Sequence, residues 1–91
     1  MDTRVAVISI LVEQEDAIEE LNAMLHEARQ DIVGRMGIPY RPKGISIISI
    51  AIDAPQNTIS ALSGKIGRLK GVSAKTAYSN VITPAEEGAE Q

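Results

Sequence analysis

Residues 4–12 read Arg-Val-Ala-Val-Ile-Ser-Ile-Leu-Val, and residues 45–53 read Ile-Ser-Ile-Ile-Ser-Ile-Ala-Ile-Asp. Both stretches are rich in β-branched residues, lack Gly and Pro, and are apolar at both alternating phases of a strand. Because successive side chains of a strand point to opposite faces, each stretch has apolar groups on both faces of a sheet. We therefore predict two central strands, around which the other elements are arranged.

An amphipathic helix is expected after each central strand. The first is predicted over residues 16–29, where apolar residues form one stripe and Asp16 with Glu19 resembles a capping box. The second carries a stripe of the same kind, with Asn57 as its predicted N-cap. It also contains two glycines that we expect to be kept for close packing against a neighbour, Gly64 and Gly67.

The remaining two strands are interrupted or polar. The stretch 31–40 contains Gly34 and Gly37, which usually mark a bulge or the close approach of another backbone. It also contains Pro39, which cannot donate a hydrogen bond to a neighbouring strand, so an edge strand is predicted. A more polar fourth strand is predicted over residues 72–81.

The order of elements is strand, helix, strand, strand, helix, strand. Each half is a split βαβ unit, and right-handed crossovers place both helices on one face of a four-stranded antiparallel sheet. The prediction is a ferredoxin-like (βαββαβ) α+β sandwich, with the first and third strands in the centre. It forms one domain over residues 1–81, and the acidic residues 82–91 are expected to form a flexible tail.

The two central strands leave an apolar second face that no element of this sequence covers. Large exposed apolar patches are rare on monomeric proteins, so we expect a second copy of the chain to cover it, as a homodimer or tetramer. The predicted oligomer face consists of Val5, Val7, Ser9, Leu11, Ile45, Ile47 and Ser49.

The amino-acid composition excludes several classes of function. The chain of 91 residues has a formal net charge of −3, one histidine and no cysteine, which excludes disulfides and thiolate chemistry. It shows no signal-peptide pattern and no membrane-length apolar run, so a cytoplasmic protein without membrane contact is expected. No catalytic constellation is recognisable, so we predict no enzyme activity and no cofactor. His26 is a weak metal candidate, better explained as a helix-end residue.

One segment concentrates basic residues with an aromatic side chain, next to the predicted edge strand. Such groups can hold a carboxylate, a phosphate or an acidic partner. The alternative is a basic edge that discourages strand-to-strand aggregation. The candidate ligand-binding or partner-binding residues are Arg35, Met36, Gly37, Tyr40, Arg41 and Lys43.

Two motifs resemble a known family: Ile32-Val-Gly-Arg-Met-Gly-Ile-Pro-Tyr-Arg-Pro-Lys-Gly-Ile-Ser46 and Ile59-Ser-Ala-Leu-Ser-Gly-Lys-Ile-Gly-Arg-Leu-Lys-Gly-Val72. Across residues 3–80 the chain is similar to the iron-only hydrogenase system regulators. The resemblance implies an ACT-like fold, similar to the C-terminal domain of nickel-responsive repressors. It also implies a non-enzymatic regulatory or sensing role, linked to transcription through a DNA-binding partner or an unknown effector.

Other functions remain open beside this resemblance, and the chain differs from the related families at several points. The chain could instead be a protein-binding module that assists hydrogenase maturation or, less favoured, an enzyme of the dimeric ferredoxin-like type. It lacks the histidine and cysteine set of the nickel-responsive repressors, and no ribbon-helix-helix segment precedes residue 4, so neither a nickel site nor direct DNA binding is expected. The loop 13–16 lacks the glycine of amino-acid-binding ACT domains.

Overall fold

A computed structural model describes residues 2–84 of the chain. Its strands are β1 (Thr3–Val12), β2 (Ile32–Tyr40), β3 (Ile45–Ala54) and β4 (Val72–Thr83), and its α-helices are α1 (Ile18–Glu27) and α2 (Gln56–Gly67). Single turns of 3-10 helix lie at Glu15–Ala17, Arg29–Asp31 and Arg41–Lys43. The order β1, α1, β2, β3, α2, β4 is the predicted one.

The strands form one antiparallel sheet in the order β2-β3-β1-β4. The two doubly apolar stretches are therefore the central strands, and the strands with Pro, Gly or polar residues are the edges. In the register of the central pair, Ile8 lies opposite Ile50 and Ser9 lies opposite Ser49. The predicted ferredoxin-like α+β fold is confirmed.

The core lies between one face of the sheet and the two helices. Alternate residues of β1 and β3 are buried there against the apolar stripes of α1 and α2, and α2 lies over β1 and β4. Aromatic rings take no part in this core, and among the described residues no polar side chain is fully buried. The largest fully buried side chains are Ile8, Ile10, Leu21, Ile50, Ile52, Ile59 and Ile66.

Both predicted helix caps are wrong. Asp16 lies inside the 3-10 turn before α1 and makes no capping hydrogen bond. This turn begins at Glu15, and its first bond runs from the Ala17 N–H to the Gln14 carbonyl, 3.1 Å away, so Asp16 is already past the start of the helical segment. α2 begins at Gln56 with Pro55 as its N-cap, so Asn57 is already helical. The fixed φ of proline, −59° here, directs the chain into the helix without a side-chain cap.

The glycines have different roles. The pairing register of β2 with β3 shifts between Ile32 and Gly34, so the predicted bulge is present. By contrast, a Cβ atom added at Gly37 or Gly67 would meet nothing within 4 Å, and one at Gly64 would meet only the Arg68 guanidinium. Within the described chain, Gly64 and Gly67 therefore serve no close packing, contrary to the prediction.

β4 ends later than predicted. A register shift between Arg4 and Ala6 marks a bulge where β1 meets β4, and beyond it Arg4 pairs with Ile82 and Thr3 with Thr83. The sheet thus extends two residues into the segment 82–91 that was predicted to be a tail. Residues 85–91 lie outside the described part of the chain.

Candidate functional site

The face of the sheet opposite the helices is apolar and open. The structure places all seven predicted oligomer-face residues on it: Val5, Val7, Ser9 and Leu11 alternate with the buried residues of β1, and Ile45, Ile47 and Ser49 alternate with those of β3. No element within residues 2–84 covers this face.

Strand β2 extends this open face. Met36, Ile38 and Tyr40 lie opposite Ser49, Ile47 and Ile45, and so share their side of the sheet. The sequence-based hypothesis left Ile38 out, although the two-residue period of a strand would have found it.

The open face is large enough to be an interface. Leu11 is 42% exposed, Ile38 46% and Met36 57%, values far above those of core residues. Four strands spaced about 4.8 Å apart, each about 30 Å long, give the face an area of about 600 Å². Three of these strands, β1, β2 and β3, carry the apolar part of the face, about 430 Å², which is within the range of the largest apolar patches on monomeric proteins.

Two strand residues give this face its charge. Lys75 of β4 lies opposite Ser9, and Asp53 of β3 lies opposite Val5. The Asp53 Oδ1 atom is buried and, among the described residues, it is the one buried side-chain polar atom without a hydrogen-bond partner. The described part of the face therefore has one cation and one anion, and one oxygen of that anion is a free acceptor.

The basic segment is divided between different surfaces. Arg35 and Gly37 lie opposite Ile50 and Ile48 and so belong to the helix side of the sheet. Met36 and Tyr40 belong to the open face, whereas Arg41 and Lys43 lie in the 3-10 turn between β2 and β3. The structure therefore does not bring the six candidate residues together on one surface.

A cleft of about 340 Å³ lies beside the turn between β2 and β3. Gly44 ends this turn with a positive φ of 65°, and its N–H donates to the Arg41 carbonyl, 3.0 Å away. Tyr40, Arg41 and Glu15 line the cleft, so it contains one basic and one acidic group. Its other lining residues are Val12, Pro39, Gly44, Ile45 and Ser46.

A second cleft, of about 320 Å³, separates α1 from β2. Arg35 donates from Nη2 to Asn22 Oδ1, 2.7 Å away, and Arg29 donates from Nη1 to the carbonyl oxygen of His26, 2.8 Å away. The cleft is lined by Asn22, Leu25, His26, Arg29, Ile32 and Arg35. We call it the α1–β2 cleft. Sequence reasoning missed it, although Asn22, His26 and Arg29 have the i, i+4, i+7 spacing of one helix side.

His26, the weak metal candidate, has no cluster of ligating side chains around it in the described part of the chain. Residues 2–84 contain no group of three or more His, Asp or Glu side chains arranged to hold a metal ion. His26 instead shares its cleft with two arginines, whose charge opposes a cation. No helix in this part of the chain is long and apolar enough to cross a membrane.

Comparison with known proteins identifies the family. The family model described as "TM1266-like: Iron-only hydrogenase system regulator, putative" matches residues 4–76. This chain belongs to that family. The predicted resemblance is therefore confirmed, and the family description is that of a regulator of the iron-only hydrogenase system. No curated protein matches the chain.

Solved structures agree with this family assignment. The structure of uncharacterized protein TM1266 from Thermotoga maritima is 36% identical, covers 84% of this chain and 96% of its own, and has a TM-score of 0.80. TM1266 and this chain thus share nearly the whole domain.

Two more distant structures share the fold alone. A formyltetrahydrofolate deformylase from Pseudomonas putida KT2440 is 12% identical, with a TM-score of 0.62, over 85% of this chain and 29% of the deformylase. An unknown protein from Galdieria sulphuraria is 14% identical, with a TM-score of 0.59, over 90% of this chain and 48% of that protein. The fold of this chain thus also occurs within longer chains.

Proposed function

We propose that this chain is a non-enzymatic regulatory domain of the iron-only hydrogenase system that works as a homodimer joined through its open sheet face. The observation that carries the proposal is the apolar face of β1, β2 and β3, which no described residue covers. The family assignment supports the link with hydrogenase. Regulation of transcription through a partner protein is the finer role that we propose.

The size of the open face supports pairing with a second copy. Two faces of about 600 Å² bury about 1,200 Å² together, the lower end of the range for stable interfaces. A two-fold axis brings the same patch of both copies together. One cation and one anion on each copy, Lys75 and Asp53, allow this contact without an excess of one charge sign.

Several features favour binding over catalysis. The described residues contain one histidine and no group of metal-ligating side chains. Both clefts that receive residues of the basic segment are small, and they contain Arg, Tyr and Asn side chains suited to recognition. The described elements are those of a ferredoxin-like domain alone, so a DNA-binding partner would supply contact with a promoter.

The test of the dimer uses Leu11→Glu, which places a charge on the open face, on a central strand and opposite Ile47 of β3. Sedimentation velocity should show a dimer for the unaltered chain and a folded monomer for Leu11→Glu, because burying an unpaired carboxylate is costly. Ala61→Glu adds the same charge at an exposed position of α2 and should remain dimeric. A wild-type monomer at micromolar concentration, or a dimer of Leu11→Glu, would contradict the proposal.

The regulatory role needs a test in the cell. Deletion of the gene should change hydrogenase transcript levels, and expression of the wild-type chain, but not of Leu11→Glu, should restore them. Unchanged transcripts together with unchanged hydrogenase activity would refute a role in this system. Unchanged transcripts with reduced enzyme activity would instead support a role in maturation.

A second candidate function, a protein-binding module for hydrogenase maturation, is favoured by the 3-10 turn after β2. Arg41 and Lys43 are exposed there, and neither pairs with a carboxylate in the described chain. An acidic partner would find both charges available. Capture of a maturation protein by the wild-type chain, lost in Arg41→Glu with Lys43→Glu but kept in Lys65→Glu, would support this function. Equal capture by all three would contradict it.

A further inference from the structure

The α1–β2 cleft has an unusual charge balance in a chain that is acidic overall. Three of its lining residues are basic or can become cationic, His26, Arg29 and Arg35, and none is a carboxylate. Within residues 2–84, neither arginine forms an ion pair, and each makes a single hydrogen bond, to a neutral oxygen. The cleft therefore contains two guanidinium charges without a counter-ion from the described chain.

The hydrogen-bonding capacity of the cleft is mostly unused. A guanidinium has five N–H donors, of which Arg29 and Arg35 each use one. The Asn22 carboxamide accepts through Oδ1, so its Nδ2 group remains a donor. Beneath these donors, the buried Leu25 and the half-buried Ile32 form an apolar wall. The cleft thus combines donors for an anion with an apolar surface for an organic group.

We propose that the α1–β2 cleft binds the phosphate or carboxylate group of a small organic anion. The planar guanidinium matches both groups through paired N–H donors. The volume of about 320 Å³ is at the lower end of the range for small-molecule sites. A role as an effector site rests on the regulatory function proposed above. In that case the anion is the signal that the domain senses.

Other nearby charges do not cancel this attraction. The carbonyl end of α1 is negative, but the hydrogen bond from Arg29 to the His26 carbonyl offsets that end. Glu19 lies one helical turn before Asn22 and lines the neighbouring cleft together with Glu15 and Asp16. None of these three carboxylates lines the α1–β2 cleft, so the charges within the cleft are those of its basic residues.

The test uses inorganic phosphate and succinate as separate probes, at constant ionic strength with chloride as the reference anion. Two-dimensional NMR should show saturable shifts at the side-chain N–H groups of Arg29, Arg35 and Asn22. A response to phosphate alone indicates a phosphate ester, and one to succinate alone indicates a carboxylate. Arg35→Gln should weaken binding about tenfold, because a hydrogen bond to a charged group contributes at least that factor.

Matched variants separate this site from general charge attraction. Arg68→Gln removes an exposed arginine at the end of α2, outside the cleft, and should leave the affinity unchanged. Arg29→Gln with Arg35→Gln should abolish the saturable shifts while leaving cooperative thermal unfolding intact. No saturable response of the wild-type chain, or equal binding by the double variant, would overturn the inference.

Failure of this inference can be told apart from failure of the proposed function. The oligomeric state of the double variant is measured in the same samples, and the substituted arginines are on the helix side of the sheet. A dimer that does not bind phosphate or succinate refutes the anion site alone. A wild-type monomer that binds an anion refutes the sheet-face dimer alone.

Discussion

Replacing Gly71 with alanine should destabilise this domain far more than the same change at Gly44. Both glycines have positive φ, 76° at Gly71 and 65° at Gly44. Holding an alanine in this left-handed region costs about 1–2 kcal/mol. At Gly44 this is the whole cost, because an added Cβ would meet nothing within 4 Å.

At Gly71 a steric cost is added. An alanine Cβ would lie 2.8 Å from the Cβ of Gln14 and closer still to its Cγ. The Gln14 side chain cannot simply swing away, because its Cβ is fixed to the backbone. That backbone is itself held by the neighbouring N–H of Glu13, which donates to the Gly71 carbonyl, 2.7 Å away. Overpacking of this kind costs about 1–3 kcal/mol, so the total for Gly71→Ala is about 2–5 kcal/mol.

Urea unfolding followed by far-UV circular dichroism measures both changes, since the chain has no tryptophan and two tyrosines for fluorescence. Measuring them in the Leu11→Glu background removes the concentration-dependent contribution of dimerisation. We expect the free energy of unfolding to fall by about 1–2 kcal/mol in Gly44→Ala and by about 2–5 kcal/mol in Gly71→Ala, with unchanged m values. Equal losses at the two positions would show that the contact with Gln14 relaxes freely, and would refute the steric argument.

Three further substitutions test other parts of the fold by the same unfolding assay. Gly67→Ala should stabilise the domain by up to about 1 kcal/mol, because alanine favours the helix and nothing lies within 4 Å of the added Cβ. A loss of stability in this variant would contradict the prediction. Arg4→Ala should lower the free energy of unfolding by about 1–2 kcal/mol. It removes hydrogen bonds to the Ser79 carbonyl (2.7 Å) and to Gln56 Oε1 (2.8 Å), and the stacking of the guanidinium over Tyr78. Arg4→Lys should keep only part of this stability. Ile50→Ala should cost about 2–5 kcal/mol, because Ile50 is fully buried in the centre of the sheet, whereas Ile50→Val should cost about 1.

The element order could be predicted from the sequence because β1 and β3 are apolar on both phases. Continuous β-branched stretches without Gly or Pro can pair along both edges, which favours the centre of the sheet and leaves the segments with Pro39 or polar residues at the edges. The helix starts could not be predicted in the same way. Asp16 and Asn57 are good capping residues, but the 3-10 turn and Pro55 already direct the chain into its helices.

The candidate site was harder to predict because it depends on contacts between distant residues. The six basic-segment residues are close in sequence, but alternation along β2 sends Arg35 and Met36 to opposite sides of the sheet. The α1–β2 cleft requires the turn Arg29–Asp31 to return the chain alongside α1, so that Arg35 reaches Asn22. The period of β2 was readable from the sequence, whereas the distance between α1 and β2 was not.

The position of β2 connects the two proposals. Arg35 lines the α1–β2 cleft and Met36, the next residue, lies on the open face, so an anion and a second copy would contact the same strand. β2 is an edge strand with β3 as its single strand neighbour, and it can therefore shift its position more easily than the central strands can. If dimerisation changes the affinity of the cleft for phosphate, thermodynamic linkage requires bound phosphate to change the affinity of the two copies for each other by the corresponding factor. We therefore expect the phosphate affinities of the wild-type dimer and the Leu11→Glu monomer to differ, and the dimer dissociation constant to shift with phosphate in the matching direction. Identical affinities would show that the cleft and the open face act independently.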